Sequence, residues 1–85
     1  MRVKVKLFGL LRIDSGIKEV ELEASTVREL YPLLLAEMRR RDPECSLDEK
    51  DLRACVVAVN ERRAKPGTKL STGDVVCLLP PVAGG

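Results

Sequence analysis

Leu70-Ser71-Thr72-Gly73-Asp74-Val75-Val76-Cys77-Leu78-Leu79-Pro80-Pro81-Val82-Ala83-Gly84-Gly85 holds a turn, a strand and an abrupt stop. Thr72-Gly73-Asp74 is a turn signal, and Val75 to Leu79 is apolar throughout. Polar alternation is missing, which marks either a central strand covered on both faces or one with an adhesive outer face. Side chains alternate along a strand, so Val76 and Leu78 face opposite to Val75, Cys77 and Leu79. Proline has no amide hydrogen to donate, so Pro80-Pro81 ends the strand and holds the chain extended. From Pro80 to Gly85 an extended chain reaches roughly 20 Å at ~3.3 Å per residue. Gly84 and Gly85 lack side chains, so this end fits a channel too narrow for a β-carbon. The expectation is a folded domain over 1–79 and a flexible tail over 80–85.

The remaining elements arrange themselves around that strand. Residues 2–8 alternate, with Val3, Val5 and Leu7 on one face and Arg2, Lys4, Lys6 and Phe8 on the other. After Asp14-Ser15-Gly16, Val20 and Leu22 alternate with Glu19, Glu21 and Glu23, so the two runs read as an antiparallel hairpin. The period then changes. Thr26 and Glu29 have capping-box spacing, and Val27, Leu30, Tyr31, Leu34, Leu35 and Met38 form one apolar helical stripe, with Leu33 off its edge. Pro43 ends this helix near Arg41, and Pro32 should cost it a hydrogen bond and bend it. Ser46-Leu47-Asp48-Glu49 can cap a short helical turn. Ala54 to Val59 suits a buried strand, and Asn60-Glu61 turns the chain into Arg62–Lys65. One main helix must therefore cover one face of a mixed four- to five-stranded sheet, an α+β fold. The opposite face, carrying Phe8, Val75, Cys77 and Leu79, is left as a candidate partner surface.

Composition narrows the function. The chain has 85 residues, 45% of them hydrophobic and 33% charged, enough for one small globular domain. Phe8 and Tyr31 are the only aromatics, so the core is aliphatic. The net charge of +2 and a single basic run without interleaved aromatics, Arg39 to Arg41, argue against nucleic acid; those arginines suit a solvated helix C-terminus. No histidine is present and the three cysteines have no CxxC spacing, so His-based triads and zinc sites are excluded and no metal site is expected. No apolar leader or membrane-spanning run is evident, and free thiols point to the cytoplasm. Cys77 and Cys55 lie on apolar stretches and read as packing residues, Cys45 falls in a polar loop, and Asp74 reads as a turn residue.

The whole chain resembles the β-grasp sulfur carriers, and most closely the MoaD family, the small subunits of molybdopterin synthase. The likeness lies in Val3-Lys4-Val5-Lys6-Leu7-Phe8-Gly9-Leu10-Leu11-Arg12, in Thr26-Val27-Arg28-Glu29-Leu30, in Val57-Ala58-Val59-Asn60, and above all in Leu70 to Val76 running into Pro80 to Gly85. The resemblance implies a ubiquitin-like β-grasp fold and a carrier without catalytic groups of its own. An E1-like (MoeB-like) enzyme would use ATP to adenylate the Gly85 carboxylate. A sulfur donor would then displace AMP and leave a thiocarboxylate. That sulfur would be delivered to a pterin precursor inside a MoaE-like large subunit, and no cofactor would be held permanently. By the same resemblance Phe8 and Leu79 belong to the docking face, and Pro80, Pro81, Val82, Ala83 and Gly84 to the inserted arm. The chain departs from the family in having Leu78 and Leu79 where aromatics are common, and Arg63 where an apolar contact is expected. Two other uses of the same glycine remain open: a ThiS-like carrier for thiamin synthesis, and a ubiquitin-like modifier joined through Gly85 to target-protein lysines. A β-grasp interaction module with an inert tail is the third.

Overall fold

The structure is a computed structural model and describes residues 1–81; Val82, Ala83, Gly84 and Gly85 of the expected tail lie outside the described residues. Its elements are β1 (Arg2–Leu7), α1 (Gly9–Ser15), β2 (Glu19–Glu23), α2 (Val27–Arg41), α3 (Glu49–Arg53), β3 (Val56–Val59), β4 (Arg62–Arg63) and β5 (Val75–Leu79). The sheet order is β2-β1-β5-β3-β4, with β1 and β5 parallel and the other pairs antiparallel. The uninterrupted apolar strand is thus the central one. Its Val76 and Leu78 are buried, whereas Val75 and Cys77 are half-buried and Leu79 is exposed on the uncovered face. Of the two readings of that strand, cover on both faces fails, since its outer face is open.

The core lies between the sheet and α2. Val3, Val5 and Leu7 of β1, Val57 of β3, and Val76 and Leu78 of β5 meet Val27, Leu30, Tyr31, Leu34 and Met38 of α2 in one buried cluster. Leu52 from α3 and Leu11 from α1 close its ends. Leu35 is half-buried and Leu33 is exposed, as the 100° period requires. One main helix on one face of a mixed five-stranded sheet is the ubiquitin-like β-grasp arrangement. Among the described residues, no helix is long and apolar enough to cross a membrane.

Several local expectations need correction. β1 and β2 do pair antiparallel, but a seven-residue helix, α1, joins them in place of a tight Asp-Ser-Gly turn. Leu11 and Ser15, four residues apart, form its buried side, and Gly16 caps its end at φ 72°, its N–H donating to the Arg12 carbonyl at 2.9 Å. Two inward positions are too few to show a helical period in sequence.

The start of α2 is also held differently from a capping box. Thr26 makes no side-chain cap; its hydroxyl donates to Glu29 Oε2 at 3.2 Å, while Glu29 Oε1 accepts the Ser25 N–H at 3.1 Å. The first-turn amides of Val27 and Arg28 donate instead to the carbonyls of Thr68 (3.0 Å) and Pro66 (2.7 Å). A neighbouring loop thereby satisfies the donors that a helix start leaves open. The helix continues through Pro32 and ends at Arg41, with extended Asp42 before Pro43. A true capping box does occur on α3, where Asp48 and Asp51 accept each other's backbone N–H. The β3 strand begins at Val56, so Ala54 and Cys55 precede it, and Val56 lies on the outer face. The arginine run sits at the C-terminus of α2, where Arg40 (2.6 Å) and Arg41 (2.9 Å) both pair with Glu37. Those two guanidiniums lower the Glu37 carboxyl to about 2.

Candidate docking face and tail root

Strand register determines what the uncovered face presents. Val56 pairs with Leu79 and Ala58 with Cys77 across β3 and β5. On the other side, Lys4 lies beside Val75 and Lys6 beside Cys77, and these lysines face Glu21 and Glu19 of β2. Directly paired residues share a face, so the surface divides lengthwise. Its β3–β5 half is apolar: Val56, Ala58, Val75, Cys77 and Leu79. Its β1–β2 half is charged and paired internally, Lys4 with Glu19 at 3.4 Å and Arg2 with Glu21 at 3.5 Å.

Phe8 is the last residue before α1, in extended conformation, and its N–H donates to the Leu78 carbonyl at 3.2 Å. Continuing the β1–β5 register by one outward-facing step sets Phe8 beside Leu79. The structure therefore brings the two expected docking residues together, with exposures of 38% and 40%. Sequence reading missed Val56, 37% exposed and paired with Leu79, because an apolar run says nothing about which of its members face outward. Phe8, Val75 and Cys77 line a shallow depression of about 410 Å³ with Lys6, Asn60 and Glu61. Arg63 pairs with Ala58 and so lies on this face too.

The rim of the depression is fixed by side-chain hydrogen bonds. Asn60 and Glu61 have φ of 50° and 70°, the positive pair that a two-residue hairpin turn needs. Asn60 Oδ1 accepts the Val75 N–H at 2.9 Å, and Asp74 Oδ2 accepts the Ser71 N–H at 2.8 Å. The Ser71 amide, and after it Asn60, hold the Asp74 carboxyl below the ordinary range. Asp74 is thus a turn residue with a second task, anchoring the β3–β4 turn to the start of β5.

The three cysteines are free. Cys55 is buried and donates weakly to the Asp51 carbonyl at 3.5 Å; burial pushes its thiol up. Cys45 is half-buried and packs against the core, so its loop is less open than its polar sequence implies. Cys77 contributes apolar surface to the depression. Among the described residues, no cluster of Cys, Asp or Glu could hold a metal ion.

The tail leaves the sheet beside this face. Pro80 is half-buried and Pro81 exposed. Both lie with Leu10, Leu11, Asp14 and Ala54 around a groove of about 180 Å³ between α1 and α3. The expected working residues, Val82 to Gly85, fall outside the described residues. What can be placed is the root of the arm, immediately after Leu79. An apolar half-face adjoining a chain exit can seat a partner so that the emerging peptide enters it.

The sequence profile described as the ThiS family matches residues 5–85. The molybdopterin synthase sulfur carrier subunit of Chlamydomonas reinhardtii is 32% identical over 87 residues, with all of both chains covered. Among solved structures, SAMP1 (small archaeal modifier protein 1) of Haloferax volcanii superposes with a TM-score of 0.77 at 26% identity, all of both chains covered. Subunit 1 in the protein–protein complex of subunits 1 and 2 of the molybdopterin-converting factor of Helicobacter pylori 26695 is similar at a TM-score of 0.65 and 30% identity, again over both whole chains. A family profile spanning nearly the full sequence and a full-length relative at 32% identity agree with the β-grasp topology, and the chain belongs to the ThiS/MoaD family.

Proposed function

We propose that this protein is a sulfur carrier, the small subunit of a molybdopterin synthase, acting in the cytoplasm through the carboxylate of Gly85. The observation that carries the reading is the adjacency of the Phe8–Leu79–Val56 apolar patch to Pro80. A partner seated on that patch receives the arm beyond Pro80 in its own cavity. The full-length likeness to a sulfur carrier subunit and to subunit 1 of a two-subunit converting factor supports the same partner class, a MoaE-like large subunit.

The chemistry follows from the electrophile. An ionised carboxylate resists nucleophilic attack because its charge is delocalised over two oxygens. An E1-like, MoeB-like enzyme would join a Gly85 oxygen to the α-phosphate of ATP, releasing pyrophosphate. The acyl-adenylate then has AMP as leaving group. A sulfur donor would attack the acyl carbon and expel AMP, leaving a thiocarboxylate whose sulfur passes to a pterin precursor in the large subunit. This chain supplies the carboxylate that carries the sulfur, and the docking surface. ATP is consumed by the activating enzyme, and general acids and bases come from the partners.

The likeness to a small archaeal modifier protein favours a second reading, in which the activated Gly85 is joined to lysines of other proteins. Accurate-mass spectrometry of protein isolated from its own cells separates the two. We expect a fraction with one sulfur replacing one oxygen, localised to Gly85 by fragmentation, since oxidation of Met1, Met38 or a cysteine adds nearly the same mass. Gly85 found in isopeptide bonds supports the modifier instead. A terminus left unaltered by the activating enzyme, ATP and a sulfur donor overturns both.

A further inference from the structure

Gly9 and Pro80 occupy equivalent places at the ends of the two parallel central strands. Leu7 is in register with Leu78, so Gly9 stands beside Pro80 two steps further on, where β1 turns into α1 and β5 gives way to the tail. Gly9 has φ +57°, a backbone conformation that side chains disfavour. A β-carbon built on it would lie 2.9 Å from Pro80 Cγ and 3.5 Å from Pro80 Cδ. The first distance is one that real side chains do not tolerate, and the atom it meets belongs to a ring fused to the backbone. The ring cannot swing aside as a flexible side chain would. The Pro80 ring therefore fills the volume where a side chain of residue 9 would be.

We propose that Gly9 is a positioning residue that sets the direction in which the tail leaves the domain. This rests on the carrier reading of Gly85. The Phe8 N–H to Leu78 carbonyl bond fixes the strand ends on one side of the pair, and the room that Gly9 leaves is what lets the Pro80 ring lie where it does. Proline holds its own φ near −65°, so an orientation set at Pro80 is passed to Pro81. The five residues beyond Pro80 reach at most about 17 Å from it, so the region open to Gly85 depends on where Pro80 and Pro81 point. Misplacement of a reacting group by as little as about 1 Å can cost on the order of a hundredfold in rate. A methyl group at residue 9 thus acts on chemistry far from it through the ring it displaces.

The test is a double-mutant cycle between Gly9→Ala and Pro80→Ala, read in two ways. The conformational strain of alanine at φ +57° is present in both backgrounds and cancels, whereas the ring atoms it would strike exist only with Pro80. In ATP–pyrophosphate exchange with the E1-like activating enzyme of the same organism, we expect Gly9→Ala to lower kcat/KM at least tenfold with Pro80 present and less than threefold in the Pro80→Ala background. In the free protein, one-bond Cα–Hα residual dipolar couplings should show Pro81 reoriented in Gly9→Ala while β1 and β5 keep their orientation. Equal losses in both backgrounds, or Pro81 couplings unchanged by Gly9→Ala, overturn the proposal. If Gly9→Ala does not fold, Pro80→Ala alone must still reorient Pro81, and its failure to do so is equally decisive. A wild-type protein that supports no exchange would sink the carrier reading, and the couplings would still decide the role of Gly9.

Discussion

Asn60 Nδ2 donates to Asp74 Oδ1 at 2.9 Å, tying the turn after β3 to the residue before β5. The same amide group accepts the Val75 N–H through its oxygen, so one side chain serves both partners. Asn60→Ala removes both bonds and places alanine at φ 50°; Asn60→Gly removes the bonds but accepts the turn. We expect Asn60→Ala to cost about 1–3 kcal/mol and Asn60→Gly about 1 kcal/mol less, measured as shifts in urea unfolding.

Acid should weaken the fold through Glu37 and Asp74. Both carboxyls are held below their ordinary range in the folded state, Glu37 at about 2 by Arg40 and Arg41, Asp74 by the Ser71 amide and Asn60. The unfolded chain therefore binds their protons first, and the stabilisation present above unfolded values of about 4.3 for the glutamate and about 3.9 for the aspartate is lost as pH falls toward the folded values. Urea midpoints should fall between pH 5 and pH 2. Glu37→Gln should lower the midpoint at pH 6 while leaving it close to wild type at pH 2.

The helix stripe can be checked with two leucines of the same chemistry. Leu34 is fully buried and Leu33 is exposed. Leu34→Ala should cost about 2–5 kcal/mol, a large part of the stability of so small a domain, whereas Leu33→Ala should stay within about 1 kcal/mol. Chemical denaturation of the two variants decides it.

Leu79→Glu tests the docking face. Leu79 is exposed and at a strand end, so the variant should fold with a thermal midpoint near wild type. A carboxylate there must lose its water or repel an apolar partner surface. Affinity for the large subunit, measured by calorimetry, should fall at least tenfold. Arg2→Ala, on the charged half of the same face, should change it by less than threefold.

On the carrier reading, deleting Gly85 should abolish activation by the E1-like enzyme and leave the unfolding curve unchanged, because Leu78 is the last core residue among those described. The assays are ATP–pyrophosphate exchange and circular dichroism. A loss of stability comparable to a core truncation would count against a separate tail.

The strands β1 and β2 and the main helix α2 were legible because burial writes periodicity directly into sequence, whereas α1, with two inward positions, was not. Val3-Val5-Leu7 alternate, and Val27 to Met38 repeat every three to four residues, and both sets are buried as their periods require. The β5 run left two readings open, because a lack of polar positions fits a strand covered on both faces as well as one with an open apolar face. What sequence hid were features decided by neighbours distant in the chain. Thr26 does not cap α2 because the carbonyls of Pro66 and Thr68 arrive from a loop some forty residues away. Val56 is outward-facing only because of its register with Leu79. Gly9 looked like an ordinary family residue, and its constraint is visible only with Pro80 beside it. The tail was read from Pro80-Pro81 and Gly84-Gly85, its insertion into a partner only from the family resemblance, and of its residues the structure places Pro80 and Pro81.

The strand that occupies the middle of the sheet is also the last of its five strands in chain order. Until Val75 to Leu79 have left the ribosome, β2–β1 and β3–β4 are two separate ribbons, each missing the neighbour that would bury its inner side. Two-stranded ribbons are marginal in water, and pairing strands from opposite ends of a chain is slow. The sheet should therefore close only once β5 is free to pair with both ribbons. A nascent chain would present no finished docking surface to an activating enzyme, and only polypeptides with a complete β5 would be offered for charging.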